Sequence, residues 1–91
     1  SFQLAQNYPN PFNPDTMIRF ALPHSGSVEL AIYNRAGQRV ATLVDGIRHA
    51  GSHAVLWNGH DDAGDAVASG VYLYRLQAAP GVQVKTLVLL R

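Results

Sequence analysis

The alternation of apolar and polar positions divides the chain into short extended segments separated by turn residues. In a strand, successive side chains face opposite ways, so every second residue shares a face. Residues 16–22, Thr-Met-Ile-Arg-Phe-Ala-Leu, place Ile18, Phe20 and Leu22 together and read as the first full strand. Pro23-His24-Ser25-Gly26 turns the chain, and Val28, Leu30 and Ile32 repeat the alternation over 27–33. Asn34-Arg35-Ala36-Gly37 then offers a type I turn with glycine where a left-handed residue is needed. Residues 38–44 are less regular, because Val40, Leu43, Val44 and Ile47 also fit helical spacing. Gly37, Gly46 and Gly51 bracket the segment closely, and Val, Thr and Ile are stiff in helices, so the reading is a strand followed by a loop over 45–51.

His53, Val55 and Trp57 share one face of a further strand over 52–58, which runs into the turn-rich Trp57-Asn58-Gly59-His60-Asp61-Asp62-Ala63-Gly64-Asp65. A short extended Ala66-Val67 leads to residues 69–76, where Tyr72, Tyr74 and Leu76 fall on one face and Val71, Leu73 and Arg75 on the other. Two tyrosines on one face need a deep partner surface, and the strand carrying Trp57 is the expected one. Pro80-Gly81 is a turn pair ahead of a last strand over 82–90. There Val84, Thr86 and Val88 oppose Lys85, Leu87 and Leu89, so either both faces are covered or a bulge shifts the register.

Ahead of these strands, residues 1–15 contain Asn7-Tyr8-Pro9-Asn10-Pro11-Phe12-Asn13-Pro14, and prolines at that spacing exclude helix and impose extended or turned backbone. Phe2, Leu4, Tyr8 and Phe12 supply apolar anchors, so the segment reads as an ordered, irregular arm lying on the domain. The expected organisation is therefore an extended proline-rich arm over 1–15 and an all-β domain over 16–91. Six or seven short strands at such spacings, without a convincing helix, predict an antiparallel β-sandwich.

Composition narrows the function more than the fold. With 91 residues, 47% of them hydrophobic and 14% charged, the chain is one globular domain and not a disordered segment. The formal net charge of +1 and the scattered Arg19, Arg35, Arg39, Arg48, Arg75, Lys85 and Arg91 give no field for nucleic acid. No cysteine is present, which rules out disulfides without fixing a compartment. The apolar run Leu87-Val88-Leu89-Leu90 is far short of the ~20 residues of a membrane helix, so no membrane insertion is expected.

Candidate chemistry is sparse. His49 and His53 sit at a zinc-ligand spacing for a helix, but Gly51 lies between them and strand geometry would part the imidazoles. Asn58, Asp61, Asp62 and Asp65 could offer oxygens to calcium, yet the spacing is not that of a calcium loop, and Asx-type turns around Gly59 and Gly64 are the favoured account. No cofactor is expected. Ser69-Gly70 lacks the Gly-x-Ser-x-Gly elbow, and no carboxylate lies in an apolar setting, so neither do we expect an enzyme.

Four blocks of residues carry a resemblance to a known family: Asn7 to Pro14; Ile32-Tyr33-Asn34-Arg35-Ala36-Gly37-Gln38; Trp57-Asn58-Gly59 with Asp61 and Gly64; and Ser69-Gly70-Val71-Tyr72. A fifth, Lys85-Thr86-Leu87-Val88-Leu89-Leu90-Arg91, resembles its basic-then-apolar ending. In this order they are similar to the type A C-terminal sorting domains of the type IX secretion system, which resemble the immunoglobulin-like domain of the flagellar hook-capping protein. Thr86 departs from the usual Lys-Lys pair. Gly70 two residues before Tyr72 also resembles the tyrosine corner of immunoglobulin-like sandwiches, with Tyr74 where antibody domains carry a core cysteine.

The resemblance implies an immunoglobulin-like fold of about seven strands and a secreted or cell-surface module recognised by outer-membrane secretion machinery. It implies a recognition surface at Gly70, Tyr72, Lys85, Leu87, Leu89 and Arg91. The alternative is a structural subunit joined to copies of itself by strand addition, with Tyr8, Pro9, Pro11, Phe12 and Pro14 as an assembly arm or the last strand as the donor. A weaker alternative is a carbohydrate-binding appendage, which would need exposed aromatics, whereas Trp57 and the later tyrosines are better explained as core.

Overall fold

The computed structural model describes residues 2–79 and 81–91, so the expected turn at Pro80 lies outside the described residues. Seven strands form two antiparallel sheets: β1 (Gln3–Leu4), β2 (Thr16–Leu22), β3 (Gly26–Tyr33), β4 (Arg39–Arg48), β5 (Gly51–Trp57), β6 (Gly70–Ala78) and β7 (Gly81–Leu89). One sheet has the order β1-β2-β5 and the other β4-β3-β6-β7. The all-β, immunoglobulin-like sandwich expected from the sequence is the observed fold.

The strictly alternating segments behave as their pattern dictates. Ile18, Phe20 and Leu22 of β2 and Val28, Leu30 and Ile32 of β3 are buried. They face Tyr72, Tyr74 and Leu76 of β6, Trp57 of β5 and Leu87 and Leu89 of β7 in one cluster. Trp57 and Tyr72 meet edge to face at 5.7 Å, the arrangement aromatic quadrupoles favour. The Asn34 turn forms as expected: Gly37 has a φ of 83° and its N–H donates to the Asn34 carbonyl at 3.0 Å.

Three expectations are corrected. First, the loop assigned to 45–51 is mostly strand, because β4 continues to Arg48 and pairs Asp45 with Glu29 and Arg48 with Gly26. Register shifts at Leu30/Ala31 and Ile32/Tyr33 put Ala41 and Val44, three residues apart, on the same inner side. These bulges are what gave β4 its helix-like spacing. Second, the last strand pairs with β6 without interruption from Gly70↔Leu89 to Ala78↔Gly81, so there is no bulge, and one face is open. Leu87 and Leu89 are buried while Val82 and Val84 are about half exposed. Toward the other end of β7 the inward positions hold Gln83 and Lys85, whose long stems span the sandwich margin.

Third, the arm contains a regular element. β1 pairs Gln3 with Ala21 and Leu4 with Phe20, which adds a third strand to the smaller sheet. The peptide bonds before Pro9, Pro11 and Pro14 are cis. Leu4 and Phe12 insert into the core, but Tyr8, expected as an anchor, is 75% exposed. Tyr8 instead anchors by its backbone, exchanging hydrogen bonds with Met17.

Candidate interaction surface

The molecule is elongated, 36 × 22 × 20 Å, so its loops divide between two poles. At one pole β3, β5 and β7 finish and β2, β4 and β6 begin, as the pairings Thr16↔Trp57, Tyr33↔Leu73 and Gly70↔Leu89 require. The five sequence blocks, spread across the whole chain, collect there. The Phe12 N–H donates to the Val88 carbonyl and the Leu90 N–H to the Phe12 carbonyl, both at 3.0 Å, while Asn10 Oδ1 accepts the Val88 N–H at 2.9 Å. The Phe12 ring lies 5.7 Å from Trp57. Arg91 closes the cluster: its backbone N–H donates to Ser69 Oγ at 2.8 Å, and its guanidinium donates to the carbonyls of Val67 and Gly59.

Two buried tyrosines tie this pole together, each for a different reason. The Tyr72 hydroxyl donates back to the Ala68 carbonyl at 2.6 Å, the corner expected from Gly70-Val71-Tyr72. Gly70 has a φ of 155°, a region that side chains strain to enter. The Tyr74 hydroxyl donates to the Ala5 carbonyl at 2.8 Å and accepts the Asn7 N–H at 2.9 Å, which locks the arm across the sandwich. Burial raises the Tyr74 pKa above its ordinary 10.0, and the Asn7 hydrogen bond partly offsets this. Asn7 is itself buried, and its amide nitrogen donates to Thr16 Oγ1 and the Pro9 carbonyl. Sequence reasoning missed this polar knot; an asparagine before a proline-rich run and a threonine at a strand start were its only traces.

The proposed recognition residues are brought together but are not all available. Gly70 pairs with Leu89 and Tyr72 with Leu87, so the block and the last strand are neighbours. Tyr72, Leu87 and Leu89 nevertheless point into the core, with exposures of 8%, 0% and 0%, and cannot touch a partner. This corrects their assignment to a surface: their strand alternation turns them inward. Lys85 is half-buried at an open groove of about 580 Å³ that it lines with Gln6, Arg19 and His53. Arg91 is exposed apart from its clamp. Of the arm residues, Tyr8, Pro9, Pro11 and Pro14 are exposed and Phe12 is buried. What the pole presents is Tyr8, the prolines, Leu90 at 54% exposure and Arg91.

Other candidates resolve into local structure. His53 stacks on its cross-strand partner Phe20 at 5.1 Å, and its Nε2 contacts the His49 carbonyl at 2.7 Å. Asp61 Oδ1 accepts the N–H groups of Ala63 and Asp65, Asp62 Oδ1 that of Thr42, and Asn58 Oδ1 that of His60. On the outer face of the larger sheet, Arg39 pairs with Glu29 at 3.2 Å and lies over the Tyr33 ring. The Glu29 hydrogen bond raises the Arg39 pKa above its ordinary value.

Fold and surface together define an immunoglobulin-like sandwich with one exposed pole, built from the arm, the Gly59 and Gly70 segments and Arg91. The chain belongs to the FlgD Ig-like domain family, whose model matches residues 12–81. It is similar to the crystal structure of FlgD from Pseudomonas aeruginosa, with 28% identity and a TM-score of 0.63 over 81% of this chain and 58% of that one. In fold it is similar to PorZ, a surface component of the type IX secretion system of Porphyromonas gingivalis (21% identity, TM-score 0.65, all of this chain and 12% of that one). It is likewise similar to latent PorU from the same organism (20%, 0.74, 99% and 9%). A comparison with curated proteins finds no match. The chain thus spans less than two thirds of the length of each of these solved structures.

Proposed function

We propose that the chain is a non-catalytic sorting and anchoring module of a secreted or cell-surface protein, read by type IX outer-membrane machinery through a protein–protein contact. The observation that carries this reading is the convergence of the five sorting-domain-like blocks on one pole, where the arm, the Gly59 and Gly70 segments and Arg91 are joined by hydrogen bonds. The reading is further supported by the recurrence of this fold as a small part of long chains such as PorZ. The partner would grip exposed groups at that pole, Tyr8, Leu90 and Arg91, while Tyr72, Leu87 and Leu89 hold the surface in shape.

The test is export of a reporter carrying this chain at its C-terminus in a bacterium with type IX machinery. The fusion is expected at the cell surface, and Tyr8→Ala with Leu90→Glu, both at exposed positions, is expected to retain a folded fusion in the periplasm. Undiminished export of the double variant would overturn the assignment of the pole, and periplasmic retention of the parent fusion would overturn the sorting role. A second reading, a filament subunit grown by strand addition, needs a donor segment free to leave its own domain and an open edge to receive it in the next copy. The arm already occupies the second half of the β7 edge, which sets this reading behind the first.

A further inference from the structure

The four sheet edges are not equally protected. β1 is two residues long. The β4 edge is interrupted by register shifts and covered by a loop, since the Asp62 N–H donates to the Val40 carbonyl and Asp62 Oδ1 accepts the Thr42 N–H. The β7 edge is covered from Thr86 onward by Gln6, Asn10 and Phe12. Short strands, bulges, charges and covering loops are the devices by which natural sheets blunt their edges. β5 has none of them: Gly51–Trp57 is a regular seven-residue strand without proline, bulge or charged residue.

The register identifies which groups β5 leaves open. Met17 exchanges both backbone bonds with Tyr8, and the Arg19 carbonyl accepts the Ala5 N–H, so these β2 residues turn their backbone toward the arm. The intervening Thr16, Ile18, Phe20 and Leu22 therefore bond to Trp57, Val55, His53 and Gly51. That leaves the N–H and C=O groups of Ser52, Ala54 and Leu56 directed away from the sheet, at three exposed residues. Leu56 is 52% exposed beside them.

We propose that β5 is a self-association edge that pairs antiparallel with β5 of a second copy about a two-fold axis at Ala54. Ser52 then faces Leu56 of the other copy, Ala54 faces Ala54, and about six backbone hydrogen bonds join the two three-stranded sheets into one. A second copy is the occupant because the edge is complementary to itself. No Asp, Glu, Lys or Arg lies on β5, so no carboxylate, ammonium or guanidinium of the strand meets its like across the axis. Small Ser52 and Ala54 leave room for Leu56 of the other copy. Antiparallel pairing also sets the start of one strand beside the end of the other. Arg48, just before β5, approaches the exposed Asp62 and Asp65 of the loop that follows it, and the reverse contact repeats by symmetry. Among the described residues these groups make no ion pair within their own chain. A two-fold contact closes on itself, so association stops at two copies. The pairing is independent of the sorting reading.

Interfaces limited to one strand fall below the ~1,200 Å² of stable complexes, so the dimer belongs in the range of about 10 µM to 1 mM. The test is sedimentation equilibrium of the 91-residue chain across that range, with amide exchange on the same samples. The expected result is a monomer–dimer equilibrium with concentration-dependent protection of the Ser52, Ala54 and Leu56 amides. Ala54→Pro removes the central donor at an edge position where proline is tolerated, and is expected to be monomeric with an unchanged melting temperature. Leu56→Lys covers the case in which that proline prevents folding. Arg48→Glu is expected to weaken the dimer about tenfold at low salt and far less at high salt. A monomer at about 1 mM, growth beyond two copies, dimers that persist in folded Ala54→Pro or Leu56→Lys, or dissociation by Val84→Lys on β7 instead would each overturn the proposal.

Discussion

Replacing Tyr74 by phenylalanine removes one oxygen and keeps the ring, which isolates the lock between the arm and the sandwich. The hydroxyl is fully buried and bonds to Ala5 and Asn7. Without it the N–H of Asn7, a residue 2% exposed, has no acceptor at that position, and an orphaned buried donor costs about 1–3 kcal/mol. The Ala5 carbonyl lies at an exposed residue and can turn to water, so its lost bond adds only about 0.5 kcal/mol. The sum, about 1.5–3.5 kcal/mol, is a large share of the ~5–15 kcal/mol typical of a domain. With a urea m-value of about 1–2 kcal/mol/M the midpoint should fall by about 1–3 M. Amide exchange at Asn7 should lose its protection at the same time. A loss below about 0.5 kcal/mol, or an Asn7 amide that stays protected, would refute the idea that this hydroxyl holds the arm.

Three further outcomes follow from the same geometry. Because burial holds the Tyr74 pKa above 10.0 in the folded chain, the unfolded chain releases this proton first. The hydroxyl's contribution is therefore fully present below pH ~10 and is lost as pH rises through the raised value; urea midpoints should fall more steeply above pH ~10 in the parent than in Tyr74→Phe, and parallel profiles would contradict this. Trp57→Ala should cost about 3–5 kcal/mol in chemical denaturation, since the indole packs on Phe12 and Tyr72; a loss under about 1 kcal/mol would show that this packing is not what holds the pole. A Cβ at position 70 would meet no atom within 4 Å, so in Gly70→Ala the strained backbone is what acts, and the melting temperature should fall by the equivalent of about 1–3 kcal/mol. An unchanged melting temperature would show that the corner tolerates a side chain.

Strands β2, β3 and β6 were legible because each keeps one uninterrupted apolar face, and that face found a partner; β5 was legible from Val55 and Trp57 sharing one face with His53. β4 was legible only in part, since a bulge adds a residue and breaks the period that pattern reading relies on. For β7 the alternation was visible, but which face turned inward depended on the arm and on where the sandwich ends. The motif blocks themselves were legible. Their meeting at one pole was not, because it depends on pairings such as Phe12 with Leu89, which join opposite ends of the chain. For the same reason Tyr72, Leu87 and Leu89 were read as a surface when they are the core beneath one.

The central claim, that the pole formed by the arm, the loop after β5 and the end of β7 is what a secretion partner reads, is tested most directly by site-specific photocrosslinking in a secreting host. A photoreactive residue would replace Tyr8 or Leu90 at that pole, or Val82 at the opposite one, each of them exposed. The account predicts adducts with outer-membrane secretion proteins from Tyr8 and Leu90 and none from Val82. Adducts from Val82 alone, or none from either pole in a fusion that still reaches the surface, would contradict it.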